Sequence, residues 1–268
     1  MPSSHDFRFL SRTGPLSGAS VVVTRPSAMA DDLVHSAQRQ GAQVVRLPGL
    51  SLRANADGGA TRCALQAALS ADAWVFISPS AVDYTFALLP DLVLPPAIRV
   101  WTVGAGTARV LRRHGIQALV PATTQDSDGL LLEPSLDEVK GQRVIIVDAP
   151  GGRAILAPSL RQRGAEVERI HVYERIAPRL TRRHFAALAA AAHPCISLVS
   201  SAEALGHLLA VLPADLCALW RAQPLVVSSP RLADLAAEHD FDDIHRADSA
   251  LSADLLRGAQ AVLARHRL

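Results

Sequence analysis

Six turns in this 268-residue chain carry residue types that hold an anion. They read Thr24-Arg-Pro-Ser27, Ser78-Pro-Ser80, Gly104-Ala-Gly-Thr107, Ala149-Pro-Gly-Gly-Arg153, Ser200-Ser201 and Ser228-Ser-Pro-Arg231. Each follows a short β-rich run and precedes a helical pattern. That places each at the carboxyl end of a strand, where a helix N-terminus offers unpaired N–H groups and the positive end of its dipole. Ser, Thr and Gly are also ordinary N-caps, so any one turn is equally explained by capping. As a set, the hydroxyls of Thr24, Ser78, Ser80, Thr107, Ser200, Ser201 and Ser228, with the backbone of Gly104, Gly106 and Gly152, suit a ligand bearing several carboxylates or phosphates. Arg25, Arg153 and Arg231 stand at the same rims. Each can take a carboxylate through two N–H groups, and each is equally a solvated residue of a helix start.

No dense catalytic constellation accompanies these turns. The sequence has no paired-carboxylate motif, no Gly-x-Ser-x-Gly elbow and no histidine pair at metal-ligand spacing; His114 and His239 read as partners of helix C-termini. Gly104-Ala-Gly-Thr-Ala-Arg109 lacks the third glycine of a dinucleotide loop. Of the two tyrosines, Tyr84 falls inside a helical pattern and reads as packing. Tyr173 falls on an extended segment, either as a strand-former or as a hydroxyl aimed at ligand. The net charge of +2 is interspersed, which excludes a nucleic-acid surface. Cys63, Cys195 and Cys217 are odd in number and far apart, which predicts neither disulfide framework nor zinc site and suits a reducing cytoplasm. No run approaches the roughly 20 apolar residues of a membrane span, and residues 1–17 lack the apolar core of a signal peptide, so no membrane partner is expected.

The elements that must position these residues alternate β and α, the pattern of a parallel α/β fold. Strands are predicted at residues 20–24, 43–46, 73–77, 99–103, 118–120, 143–147, 166–170, 195–199, 224–227 and 243–245. Helices are predicted over residues 28–40, with Ala30, Leu33, Val34 and Ala37 on one side, and over 107–114. The chain also repeats itself. Gly18-Ala-Ser-Val-Val-Val-Thr-Arg-Pro26 is echoed by Gly141-Gln-Arg-Val-Ile-Ile-Val-Asp-Ala149 at an offset of 123, and Trp74-Val-Phe-Ile-Ser78 by Ile196-Ser-Leu-Val-Ser200 at 122. Two similar lobes with parallel sheets flanked by helices are therefore expected, with one active cleft between them. Residues 46–53 and 170–176 hold the same place in the two copies and read as twin extended linkers, followed by loops at 53–61 and 177–181.

With these residues in hand, the chain resembles the uroporphyrinogen-III synthase family over its length after Ser17. The matching blocks are Val21-Val-Val-Thr-Arg-Pro26, Phe76-Ile-Ser-Pro-Ser-Ala-Val82, Val103-Gly-Ala-Gly-Thr-Ala108, Ser127-Asp-Gly-Leu-Leu131, Gly151-Gly-Arg153, Val172-Tyr173 and Ser200-Ser201. The resemblance implies an interleaved topology, with residues 1–47 and 177–268 in one lobe and 48–176 in the other. It implies closure of hydroxymethylbilane, a linear tetrapyrrole with eight carboxylates, to uroporphyrinogen III with inversion of ring D and loss of water, a lyase reaction of heme and siroheme biosynthesis without metal or organic cofactor. It implies Tyr173 as the catalytic hydroxyl and adds Ser127 to the substrate-binding set. A cytoplasmic monomer is expected, with transient contact to hydroxymethylbilane synthase. Asp148-Ala-Pro150 departs from the family pattern, where an arginine-glycine-acid sequence is more usual, and so does Pro230-Arg231, where some members have threonines.

Two other readings compete. A non-catalytic two-lobed module that binds or senses an anionic metabolite shares the duplicated lobes and hinge strands. A flavodoxin-like carrier needs an aromatic residue stacking on flavin, for which Trp74 and Trp101, inside strands, are poor candidates.

Overall fold

A computed structural model describes residues 14–151 and 155–267. Gly152 and Arg153, and the reading made of residues 1–13, lie outside the described residues. In chain order the elements are β1 Ser20–Val23, α1 Asp31–Arg39, β2 Gln43–Arg46, β3 Ser51–Ala54, α2 Gly58–Ala67, β4 Ala73–Phe76, α3 Pro79–Leu88, β5 Arg99–Thr102, α4 Ala105–Arg113 and α5 Ser127–Leu131. They continue as β6 Arg143–Asp148, α6 Leu156–Gln162, β7 Glu166–His171, β8 Tyr173–Ile176, α7 Arg182–Ala189, β9 Cys195–Val199 and α8 Ala202–Val211. The last are α9 Ala214–Arg221, β10 Leu225–Val227, α10 Pro230–Ala237, β11 Ile244–Arg246 and α11 Ser252–His266.

The chain divides into two units: residues up to Ser51 with those from Ile176 onward, and Leu52–Arg175. The first holds a parallel sheet in the order β11-β10-β9-β1-β2, the second a parallel sheet in the order β5-β4-β6-β7. β3 and β8, one from each place where the chain passes between units, form a two-stranded sheet.

The central strands of each sheet are buried on both faces, which is why β1, β4, β6, β9 and β10 read as nearly continuous apolar runs. In β1, Val21 and Val23 face one core with α1 and α11, while Val22 faces a second core with α8, α9 and α10. In β4, Trp74 and Phe76 join the core beneath α3 and α4, and Ala73 and Val75 the one beneath α5 and α6. Buried indole donors are satisfied: Trp74 Nε1 donates to Ala68 O at 3.0 Å and Trp220 Nε1 to Ser197 Oγ at 2.7 Å.

Three expectations need correcting. Residues 53–61 are not a loop, because β3 runs to Ala54 and α2 begins at Gly58. Asp57 caps that helix, accepting from Ala60 N at 2.8 Å, and buried Thr61 and Leu65, four apart, anchor it; its Gly and Ala content masked the pattern. Residues 118–120 form no strand. A single bridge joins Leu119 to Trp101, and Pro121, with no N–H, cannot extend the ladder. The helix expected from residue 28 starts at Asp31, after a 3-10 turn at Ser27–Met29.

Candidate functional site

The carboxyl ends of the second unit's strands surround a cavity of about 310 Å³. That is the small end of the range of about 300–1,000 Å³ usual for ligand pockets. Ile77, Val103, Ile146, Leu156 and Ala157 give it an apolar lining. Ser78, Gln125, Asp126, Ser127, Asp148, Arg169, Tyr173 and Arg175 supply its polar groups. An apolar surface ringed by hydroxyls and guanidinium groups fits a ring that carries acids.

Three helices start at this wall. Ser78 caps α3, its Oγ accepting from Ala81 N at 3.1 Å, with Pro79 as the first helical residue. Gly104 precedes α4, where Gln125 Oε1 takes Ala105 N–H at 2.9 Å. Asp126 caps α5, accepting from Gly129 N at 2.9 Å and Thr124 Oγ1 at 3.0 Å. A Cβ on Gly129 would stand 1.9 Å from Thr124 O, so the close approach of that turn requires glycine.

Tyr173 is the centre of the arrangement. It is 5% exposed, its hydroxyl lies 3.2 Å from Ser78 Oγ, and its ring stacks on Tyr84 at 5.3 Å between centroids and 14° between planes. Burial, then the neighbouring Tyr173 and Asp83, push the Tyr84 hydroxyl above its ordinary pKa. Across the cavity wall, Asp148 at the end of β6 is buried and paired twice. Arg169 Nε donates to its Oδ2 at 2.9 Å, and His171 Nδ1 lies 2.6 Å from its Oδ1. Arg175 donates to Pro150 O at 3.1 Å.

Of the residues expected from sequence, Tyr173, Ser78 and Ser127 meet at this cavity. Gly104, Gly106 and Thr107 belong to the start of α4, with Thr107 buried, and Ser80 is buried in α3. Gly152 and Arg153 lie outside the described residues, and the remaining ones stand in the first unit. Thr24 donates to Leu198 O at 2.8 Å inside that unit. Arg25 donates to Ser252 Oγ at 3.0 Å and to Ala250 O, and its burial lowers its pKa against the opposing pull of Asp32. Ser201 caps α8 directly after Ser200, and Ser229, next to Ser228, caps α10, where Arg231 is exposed.

Sequence reasoning passed over Arg169, Arg175, Gln125 and Asp148 as site residues. A signal existed for two of them. Asp148 closes the apolar run Val144-Ile-Ile-Val147, and Arg169 and His171, two apart on β7, share one face of a strand that is otherwise half apolar. Among the described residues no group of three His, Cys, Asp or Glu side chains is placed to hold a metal ion, and no helix is long and apolar enough to cross a membrane.

Comparison with known proteins adds a family. The family described as uroporphyrinogen-III synthase HemD matches residues 31–256. The uroporphyrinogen-III synthase of Escherichia coli (strain K12) is 30% identical over 245 residues, covering 90% of this chain and 100% of that protein. That of Salmonella typhimurium is 30% identical over 246 residues, with the same coverage. Among solved structures, the Helicobacter pylori 26695 enzyme aligns with a TM-score of 0.60 at 15% identity, over 91% of this chain and 99% of that one. A mutant of the Thermus thermophilus enzyme aligns with 0.58 at 15% identity, over 92% and 99%. At such identity these two establish the shared α/β fold.

Proposed function

The chain belongs to the uroporphyrinogen-III synthase family, and from that premise we propose that it closes hydroxymethylbilane to uroporphyrinogen III, inverting ring D and releasing water, with Tyr173 as the acid. The support is one contact in one place: the Tyr173 hydroxyl, 3.2 Å from Ser78 Oγ, in the wall of a cavity at the carboxyl ends of the second unit's strands.

Either hydroxyl can donate across that contact, because Ser78 Oγ, which accepts Ala81 N–H at the start of α3, keeps a second lone pair. In the proposed reaction Ser78 donates to the Tyr173 oxygen, which leaves the Tyr173 O–H for the substrate. Donation to the hydroxymethyl oxygen of ring A breaks the carbon–oxygen bond, releases water and leaves a protonated azafulvene, the counter-charge of the tyrosinate. The tyrosinate so formed accepts a hydrogen bond from Ser78 at the positive end of a helix dipole. Ring D attacks the azafulvene carbon through its substituted α position to give a spiro intermediate. The bond from that position to the ring C methylene then breaks, the methylene is attacked by ring D's unsubstituted α carbon, and the proton lost from that carbon restores Tyr173. The azafulvene is reactive by itself, so the protein's main contribution is to hold the chain ends in the reacting geometry.

The acids of the substrate are assigned to helix starts and arginines: Ser127, Gly104, Gly106, Gly152 and Arg153 in the second unit, and Ser200, Ser201, Ser228 and Arg231 in the first. Backbone donors carry this assignment, so it survives the departures at Asp148-Ala-Pro150 and Pro230-Arg231. The exposed large apolar residues among those described, Met29, Val93, Leu132, Ile155, Val211 and Leu251, are scattered along the chain, which supports a monomer. Three free thiols support a reducing, cytoplasmic setting. Direct transfer of the unstable substrate from hydroxymethylbilane synthase is part of the same reading.

The test supplies fresh hydroxymethylbilane and resolves the isomers formed. Enzyme-dependent type III product is expected. Type I product at the uncatalysed rate would mark the chain as a binding module instead.

A further inference from the structure

A carboxylate in the wall of a cavity that receives an eight-acid ligand is repulsive unless it is cancelled, and Asp148 is such a carboxylate, with its side chain 8% exposed. The cancellation comes from β7. Parallel pairing sets Asp148 beside His171 and Ile146 beside Arg169, so residues 169 and 171 present both side chains on the face that reaches Asp148. Arg169 spends Nε and Nη2 on Oδ2, and His171 Nδ1 holds Oδ1. Both carboxylate oxygens are thus engaged inside the unit. The Arg169 side chain is 30% exposed and lines the cavity, and its Nη1 has no partner among the described residues.

We propose that Arg169 is a subsite for one carboxylate of the substrate, taken through Nη1, and that Asp148, fixed from behind by His171, is the positioning residue that sets the guanidinium in that orientation. The subsite rests on the reading of the chain as a uroporphyrinogen-III synthase. A guanidinium gripped along one edge has lost its rotational freedom before the ligand arrives, so less is lost when the second hydrogen bond forms. Asp148 therefore acts in two opposed ways. It repels the substrate directly and attracts it through Arg169, and the second effect is the larger while Arg169 is present.

Steady-state kinetics on the purified chain separate the two effects. Arg169→Gln is expected to raise KM about tenfold, the loss of one charge-assisted hydrogen bond, with kcat within about twofold. Arg169→Lys, which keeps the charge and loses the fork, is expected to raise KM about threefold. Asp148→Asn should raise KM in the native background and lower it in the Arg169→Gln background, where it removes an anion no longer offset by the guanidinium. A merely structural Asp148 raises KM in both. Type III product with KM unaltered in Arg169→Gln overturns the subsite alone, as does a KM lowered by Asp148→Asn in the native background. If Arg169→Gln does not fold, an unaltered KM in Arg169→Lys overturns it equally. Failure of the wild-type chain to form type III product overturns the functional reading first.

Discussion

The strands β1 and β6 are the same strand in two copies of one unit, and they end in opposite charges. The offset of 123 sets Arg25 against Asp148 and Arg46 against Arg169, and the pairing register agrees, with Val23 beside Arg46 and Ile146 beside Arg169. In the first unit the two arginines are used apart. Arg25 bonds to Ser252 and Ala250, and Arg46 reaches the exposed Asp31 at 2.7 Å, holding that carboxyl below its ordinary pKa. In the second unit Arg169 finds its counter-charge at the end of the neighbouring strand, inside the cavity wall. A duplicated scaffold thus gives one edge whose cation serves the fold and one whose cation serves a ligand, and the position of a single acid decides which.

The comparison breaks most visibly at Tyr173, which has no tyrosine counterpart in the first unit. Replacing it with Phe keeps the stack on Tyr84 and removes the acid, so kcat is expected to fall about 100-fold, or about 2.7 kcal/mol of barrier, with KM little changed. Turnover of the variant at the wild-type rate would remove Tyr173 from the chemistry. Next in size, Arg25→Gln should cost about 1 kcal/mol of stability through its lost hydrogen bonds while leaving KM within about twofold. A tenfold KM change there, equal to that expected of Arg169→Gln, would erase the distinction between the two edges. Smallest is a difference in thiol reactivity. Cys63 of the second unit is exposed, whereas Cys195 and Cys217 of the first are buried, and burial pushes the Cys195 thiol up to about 11. At pH 8 a disulfide reagent should titrate one thiol in the folded chain and three in denaturant. Rapid reaction of all three without denaturant would show that the first unit's core opens readily.

The duplication was legible in the sequence because apolar runs and their stop signals repeat together. The strands Gln43–Arg46 and Cys195–Val199 fall where periodicity placed them, and the others, residues 118–120 excepted, within one or two residues of their expected ends. The helix at Gly58–Ala67 was not legible, since two glycines and three alanines hide a cap that depends on Asp57 alone. At the site, Tyr173, Ser78 and Ser127 could be read from motif and turn chemistry. For Arg169 the local pattern offers only a face of β7 shared with His171; its pairing with Asp148 depends on β6 lying beside β7, across 21 residues. Thr24 and Arg25 show the reverse case, where residue type suggested a ligand and packing supplied an internal partner.

Hydrogen–deuterium exchange with and without uroporphyrinogen III, kept reduced, tests the central claim that the second unit's strand ends hold the tetrapyrrole. Slower exchange is expected in peptides covering residues 77–81, 146–151 and 172–175. Unchanged exchange across all three, in a protein that still forms the type III isomer, would contradict it.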